Sequence, residues 1–419
     1  MPEQGLKLSP YRWVVLAVFM LVNVAVQVLW ICYAPVASSA ASSYGVQRDS
    51  IDLLANLFML IYIPMAFPAS WAIDTFGFKK AVGFGVSMMG VFALVRAAWP
   101  ASYTAALVGT IGISIGQPFL LNAFTKFAAQ WFPKKQRATI TGIVFLALFA
   151  GIGLGETLTP TVVGAQGLAG MQLIYGIGAA AAAALFLAFA RAKPRTPVDP
   201  EADQERALVV DSLKQILRSR SVYLLCLALF IGSGIVNGVF TLIDGLGKNI
   251  GFTTDQGVLL TALLLVGGVA GSVVVPMISD GLRRRKPVII GAVLLAVPIT
   301  LGLVLGRGMV VEIACFFALG FLVTGVTPVA YQYGAEITHP APEGTSNGIF
   351  ALMVQASGLL IVLMDALKGA FGDSYVPSFV GLAVLLLASG GLAFSLRESP
   401  AMVRHQETAS AAGSAGGAA

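Results

Sequence analysis

Inside the long apolar runs of this chain a few polar side chains sit at similar distances from the run ends: Gln27 and Trp30 in the first run, Gln117 in the fourth, Ser233 and Asn237 in the seventh, Thr324 in the tenth and Gln355 in the eleventh. A polar group in the middle of an apolar span is costly to keep, so each is a candidate ligand contact. The types are amides, hydroxyls and one indole, with no full charge at that depth. Amides and hydroxyls exchange hydrogen bonds, and an indole face attracts a cation by about 2 kcal/mol when desolvated. Such a set suits a neutral solute or a quaternary ammonium ion, whereas a carboxylate ligand calls for a mid-span Arg or Lys. For any single amide the competing role is hydrogen bonding between helices, and for Trp30 it is packing. Their shared depth on several runs favours binding.

Full charges fall near the run ends. Glu156, Asp244 and Asp365 lie toward one side, where they are candidates for ion coupling; Asp74, Lys126 and Glu336 lie toward the other. With Lys79, Lys80, Arg137 and Glu343, the residues Asp74 and Glu336 read as parts of a gate. Opposite charges at equivalent places, Arg137 and Glu343, suggest loops that pair when it shuts. Catalysis has little support, because no serine elbow is present and His339 and His405 sit in a loop and a tail. Cys32, Cys226 and Cys315 are unpaired in spacing and lie in apolar runs, so neither disulfides nor zinc are indicated. No Walker sequence occurs and glycine runs lack a preceding strand, which excludes ATP as the energy source. No metal and no cofactor are expected.

These side chains need long apolar elements to hold them. Of the 419 residues 57% are hydrophobic and 11% charged, against about 25% charged in soluble domains. The expected partner is therefore a lipid bilayer. Spans can be drawn near 13–38, 52–73, 80–99, 103–130, 138–163 and 168–190, then near 222–246, 256–279, 287–306, 309–335, 345–367 and 376–396. Unbroken apolar runs lack the alternation of barrel strands, so the expected class is an all-α membrane protein of twelve helices in two pseudo-symmetric six-helix bundles. With the N-terminus inside, twenty Lys and Arg fall on inner segments and only Arg48, Arg96, Lys248, Arg307 and Lys368 on outer ones. That asymmetry predicts a multi-pass cell-membrane protein with both termini cytoplasmic, and it explains the net charge of +6 without nucleic acid. The first run, too long for a cleaved signal, reads as a retained span.

The expected organisation is an N-terminal bundle over 1–190, a cytoplasmic linker over 191–221, a C-terminal bundle over 222–396 and a disordered tail over 397–419. In the linker, Leu208, Leu213, Ile216 and Leu217 form an amphipathic pattern that suits either a surface-lying helix or a solvated connector. A monomer is expected.

Two polar hinges echo each other: Trp131-Phe132-Pro133-Lys134-Lys135-Gln136-Arg137-Ala138-Thr139 in the first half and Glu336-Ile337-Thr338-His339-Pro340, running on to Gly348, in the second. Related halves are the mark of a transporter built from repeats. Asp74, Gly77, Lys79 and Lys80 resemble the loop motif between the second and third spans of the major facilitator superfamily, with Ser70 where that motif usually has glycine. In the second half, Asp280-Gly281-Leu282-Arg283-Arg284-Arg285 keeps the acid and the basic residues. Tyr62-Ile63-Pro64 through Asp74, the hinge from Glu336 to Ser346, and Leu29-Trp30-Ile31-Cys32-Tyr33 together resemble the feline leukaemia virus subgroup C receptor family. That family includes choline and ethanolamine carriers and has been linked to haem export. The resemblance implies ligand contacts at Trp30, Gln117 and Gln355, places Asn237 where an aromatic is expected, and replaces an amide pair by Leu148 and Phe149.

The function expected is alternating-access transport of a small organic solute, a cationic or zwitterionic amine such as choline or ethanolamine, contacted by Trp30, Gln117, Asn237, Gln355, Gln27 and Thr324. Without a mid-span carboxylate, uniport is favoured. The alternatives are a proton-coupled carrier of a metabolite or drug, a haem carrier, and a membrane sensor that does not transport. For haem, an axial ligand from His, Cys or Tyr is needed, and neither histidine lies in a span.

Overall fold

In a computed structural model, the protein is described at residues 9–194, 216, 218–306, 308–339, 341–395 and 398. The linker pattern at Leu208, Leu213 and Leu217, the tail from 399 and His405 lie outside the described residues. Every regular element among the described residues is helical. In the first half these are α1 (Arg12–Ile31), α2 (Ala37–Tyr44), α3 (Arg48–Phe76), α4 (Phe78–Ala98), α5 (Tyr103–Leu121), α6 (Phe124–Trp131) and α7 (Arg137–Phe189). The second half holds α8 (Arg220–Ile250), α9 (Thr254–Leu282), α10 (Lys286–Leu305), α11 (Met309–Leu319), α12 (Gly325–Thr338), α13 (Glu343–Ala356), α14 (Gly358–Lys368) and α15 (Val376–Ala393).

Among the described residues, eleven segments are long and apolar enough to cross a membrane, and one of them, Lys134–Phe189, runs for 56 residues. That segment is two spans: Gly167 takes φ 67° and ψ −178°, a backbone only glycine adopts without strain, and the helix bends there. Twelve spans result, as expected. Their ends follow local rules. Ser102 accepts from the Ala105 N–H to start α5, and Thr253 with Gln256 forms a reciprocal capping box at the start of α9.

Three spans are interrupted where the sequence reads as continuous. The first breaks after Ile31 into a turn and a short 3₁₀ stretch at Ala34–Val36 before α2; the fourth breaks at Asn122–Ala123; the eleventh breaks at Ser357 between α13 and α14. The tenth contains a π-helical turn at Gly320–Thr324. Apolar composition carries no mark of such breaks. The eleventh span begins at Glu343 and α13 ends at Ala356, so Gln355 lies in the last turn of that helix, just before the break.

The chain divides into two compact units: Met1–Pro133 with Ile143–Val209 and Glu343–Gln355, and Lys134–Gly142 with Val210–Pro342 and Ala356–Ala419. In the first, Phe19 of α1 packs edge-on to Phe78 of α4 and Phe124 of α6, with centroids 5.1 and 5.8 Å apart, and Phe127 and Phe186 complete the cluster. Within lipid, this close van der Waals packing takes the place of the hydrophobic drive. In the second, α9 packs against α11, the π turn and α12.

Candidate functional site

The last turns of α1 gather most of the predicted contacts of the first unit. Gln27 and Trp30 are one turn apart. Gln117 of α5 donates through Nε2 to Gln27 Oε1 at 3.1 Å, and both amides are buried. The remaining Gln117 oxygen, Oε1, is buried without a hydrogen-bond partner. A buried acceptor left open costs about 1–3 kcal/mol, so the pair is built to receive a donor. The Trp30 N–H is already used: Nε1 donates to the Ala55 carbonyl of α3 at 3.3 Å, which fixes the indole and leaves its ring as the interacting surface.

Two further charges belong to helices that pack on this turn. Gly151 and Gly155 of α7 pack on α1: a Cβ at Gly151 would lie 2.7 Å from Gln27 Cβ, and one at Gly155 would collide with Ile31 Cγ2. The next residue, Glu156, is exposed and makes no ion pair among the described residues. Counting from the span end set Glu156 apart from Trp30; the glycine packing brings its backbone alongside that turn. Arg96 of α4, counted from the sequence as an outer-side charge, is only 2% exposed. Its guanidinium donates to the Leu29 carbonyl at 3.4 Å and to Cys32 Sγ at 3.2 Å, and stands 4.7 Å from the centre of the Tyr33 ring. It therefore caps the carbonyl end of α1, where the helix dipole favours a cation. Gly109 of α5 makes room, since a Cβ there would overlap Arg96 Cγ. The sequence offered one signal for this, an Arg four residues before Pro100 in an otherwise apolar run, and span counting absorbed it as topology.

At the other end of the same unit, Asp74 caps α13. Its Oδ1 accepts from the Gly344 N–H at 2.9 Å, and its Oδ2 accepts from the Thr345 N–H and hydroxyl, each at 2.8 Å. A carboxylate at a helix N-terminus satisfies otherwise open N–H groups and meets the positive end of the dipole. Close approach is needed, and Gly344 and Gly348, one turn apart, supply it: a Cβ at Gly348 would collide with Ser70 Oγ. Ser70, in the place the motif usually gives glycine, accepts from Asn122 Nδ2 at 3.0 Å, and Asn122 Oδ1 takes the Tyr62 hydroxyl at 2.5 Å. Asn347 extends the network to Thr125 and to the Asn122 carbonyl. Lys79 and Lys80 lie in the first turn of α4, half-buried and exposed respectively.

The second unit repeats the device. Asp280 Oδ2 accepts from the Thr139 N–H and hydroxyl in the first turn of α7, at 2.7 and 2.6 Å. Its Oδ1 takes Arg285 Nη1 at 2.5 Å, while Arg285 Nη2 donates to Glu336 at 3.2 Å. The Arg285 side chain is wholly buried. Burial alone lowers its pKa, but Glu336 and Asp280 outweigh this and raise it, so the guanidinium stays charged. Glu336, read from the sequence as a gate charge near a run end, thus belongs to a buried ion triad at the end of α12. Arg137 is buried at the start of α7, and Glu343 opens α13.

Asn237 of α8 donates through Nδ2 to Ser357 Oγ at 3.1 Å, the residue at which the eleventh span breaks. Thr324 closes the π turn, a distortion frequent at functional sites. Thr324 and Gln355 make no hydrogen bond among the described residues, so their polar ends are available. The side chains of Asp244 and Asp365 lie outside what is described.

The Major Facilitator Superfamily sequence pattern matches residues 19–363. The chain belongs to that superfamily. Solute carrier family 49 member A3 of Xenopus tropicalis is 30% identical over 381 residues, covering 87% of this chain and 79% of the relative. Choline/ethanolamine transporter FLVCR1 of Felis catus is 28% identical over 399 residues, covering 90% and 70%. Among solved structures, the facilitator-superfamily transporter FucP in its outward conformation aligns with a TM-score of 0.73 at 16% identity, covering 90% of this chain and 97% of that one, which shows a shared fold. The resemblance read from the three motifs thus agrees with these relatives, and the protein is a multi-pass membrane secondary transporter of this superfamily.

Proposed function

We propose that the protein carries a small cationic or zwitterionic amine, of the choline or ethanolamine kind, by alternating access in the cell membrane, with both termini cytoplasmic and as a monomer. The observation that carries this is the Gln27–Gln117 pair one turn from Trp30, whose Gln117 Oε1 is buried and open. A hydroxyl or ammonium N–H donates to that oxygen, and the indole, tethered through its N–H, presents its face to the cationic end. Gln355, Thr324 and Asn237 supply further polar contacts from the second half. Glu156, next to the Gly155 that packs on Val28 and Ile31, is the carboxylate this reading assigns to the cation. The names of the curated relatives support the amine class: FLVCR1 is a choline/ethanolamine transporter.

In this reading Asp74, Lys79, Lys80, Arg137, Glu336 and Glu343 form the inner gate, and the bundles at 1–190 and 222–396 are joined by the 191–221 linker. The test is uptake of radiolabelled choline and ethanolamine into proteoliposomes. Parent protein is expected to take them up, while Trp30→Ala and Gln355→Ala proteins of normal thermal stability do not; equal rates in all three would reject the assignment.

A second reading, proton-coupled transport, is favoured by Glu156. Collapsing the pH gradient then abolishes accumulation and Glu156→Gln removes the dependence. Counterflow exchange separates both readings from a sensor that binds without flux.

A further inference from the structure

The run Arg283-Arg284-Arg285-Lys286 between α9 and α10 divides its labour. Arg285 turns inward and is consumed by Asp280 and Glu336. Arg284 and Lys286 instead line an open cleft of about 530 Å³, whose other walls are Pro287, Ile290 and Gly291 of α10, Phe394 at the end of α15, and Glu398. The cleft is therefore basic at its rim and apolar along its wall. Glu398 also lines the cleft, its Oε1 accepting from the main-chain N–H groups of Arg285 and Lys286 at 2.9 and 3.2 Å, so one carboxylate stands beside two basic side chains and the lining stays net positive. Lys286 Nζ donates once, to the Phe394 carbonyl at 2.8 Å, which holds the ammonium at the cleft and leaves two of its three N–H donors. Arg284 is exposed.

We propose that this cleft is a binding site for an anionic phospholipid of the leaflet on the basic side of the membrane. The lipid phosphate lies between Arg284 and Lys286, and the glycerol and first acyl carbons lie along Pro287, Ile290 and Phe394. Two features choose a lipid over a soluble anion. The basic pair sits where two spans end, at headgroup level, and the surrounding surface is apolar: Phe394 is 60% exposed and Leu282 57%. A soluble phosphate gains nothing from such walls, whereas basic pockets between spans on this side suit anionic headgroups. Charge alone does not make the site, since basic residues on this side follow from topology; the cleft and its apolar wall do.

The test reconstitutes the full chain in nanodiscs of phosphatidylcholine with and without phosphatidylglycerol, and reads lipid retention by native mass spectrometry together with the thermal midpoint. Phosphatidylglycerol is expected to be retained and to raise the midpoint. Arg284→Gln with Lys286→Gln is expected to weaken retention by about tenfold or more, as the loss of two basic contacts near an anionic surface implies. Arg218→Gln with Arg220→Gln, two exposed basic residues on the same side, serves as the charge-matched control and should leave retention unchanged. Equal losses in both double variants would mean a diffuse surface effect and overturn the site. Stabilisation by inorganic phosphate in pure phosphatidylcholine would overturn the lipid assignment, and so would the absence of any response to phosphatidylglycerol.

Discussion

Arg96 shows how much a single buried charge decides. It reaches from α4 to the last turn of α1, where it meets a carbonyl, a thiol and an aromatic face, and no carboxylate pairs with it among the described residues. A guanidinium satisfies these three together because it is planar, delocalised and weakly hydrated. Arg96→Lys is therefore not conservative: it should lower the thermal midpoint and weaken amine binding by displacing the Trp30 turn. The check is Trp30 fluorescence on ligand addition, in a background where other tryptophans are Phe. For Trp30→Ala, loss of a cation–π contact of about 2 kcal/mol predicts roughly thirty-fold weaker amine binding, measured by calorimetry. Gln117→Leu removes both the bond to Gln27 and the open acceptor, and is expected to abolish uptake while folding normally.

Helix ends carry the next level of organisation. Asp74 and Asp280 each cap the first turn of another helix, with three hydrogen bonds from Gly344 and Thr345 in one case and, in the other, two from Thr139 beside the Arg285 ion pair. Asp74→Asn keeps the size but loses the charge at the helix start. It is expected to change the transport rate more than the amine Kd, read by comparing uptake kinetics with binding. Arg285→Met strands two carboxylates in a buried site and should destabilise the protein by about 3–5 kcal/mol, visible as a lower thermal midpoint. Gly348→Leu is expected to break the cap for steric reasons alone, because the side chain would occupy the space of Ser70.

At the scale of the whole molecule, charge asymmetry makes a topological prediction. In a protein with Cys32, Cys226 and Cys315 replaced, a cysteine at Ser219 should react with an impermeant maleimide only after the membrane is opened, and one at Ser102 should react in intact cells. The opposite pattern would invert the orientation. Composition, hydropathy and the Lys/Arg distribution by themselves determined an all-α membrane chain of twelve spans, because burying backbone in lipid leaves few alternatives and each span must be about 20 apolar residues long. Three short motifs were enough to point to the superfamily. Spacing also singled out Trp30, Gln27, Gln117 and Asp74, whose polarity stands out against apolar surroundings. Only the tertiary structure decided that Gln27 and Gln117 bond each other, that Arg96 is a buried cap on α1, that Glu336 completes an ion triad, and that Gly155, next to Glu156, packs on the Trp30 turn. It also placed the breaks at Ile31, Asn122 and Ser357. Each of these depends on which helix lies beside which, and along a single apolar run nothing encodes the neighbour: the partners are 90, 64, 51 and about 125 residues away in the chain.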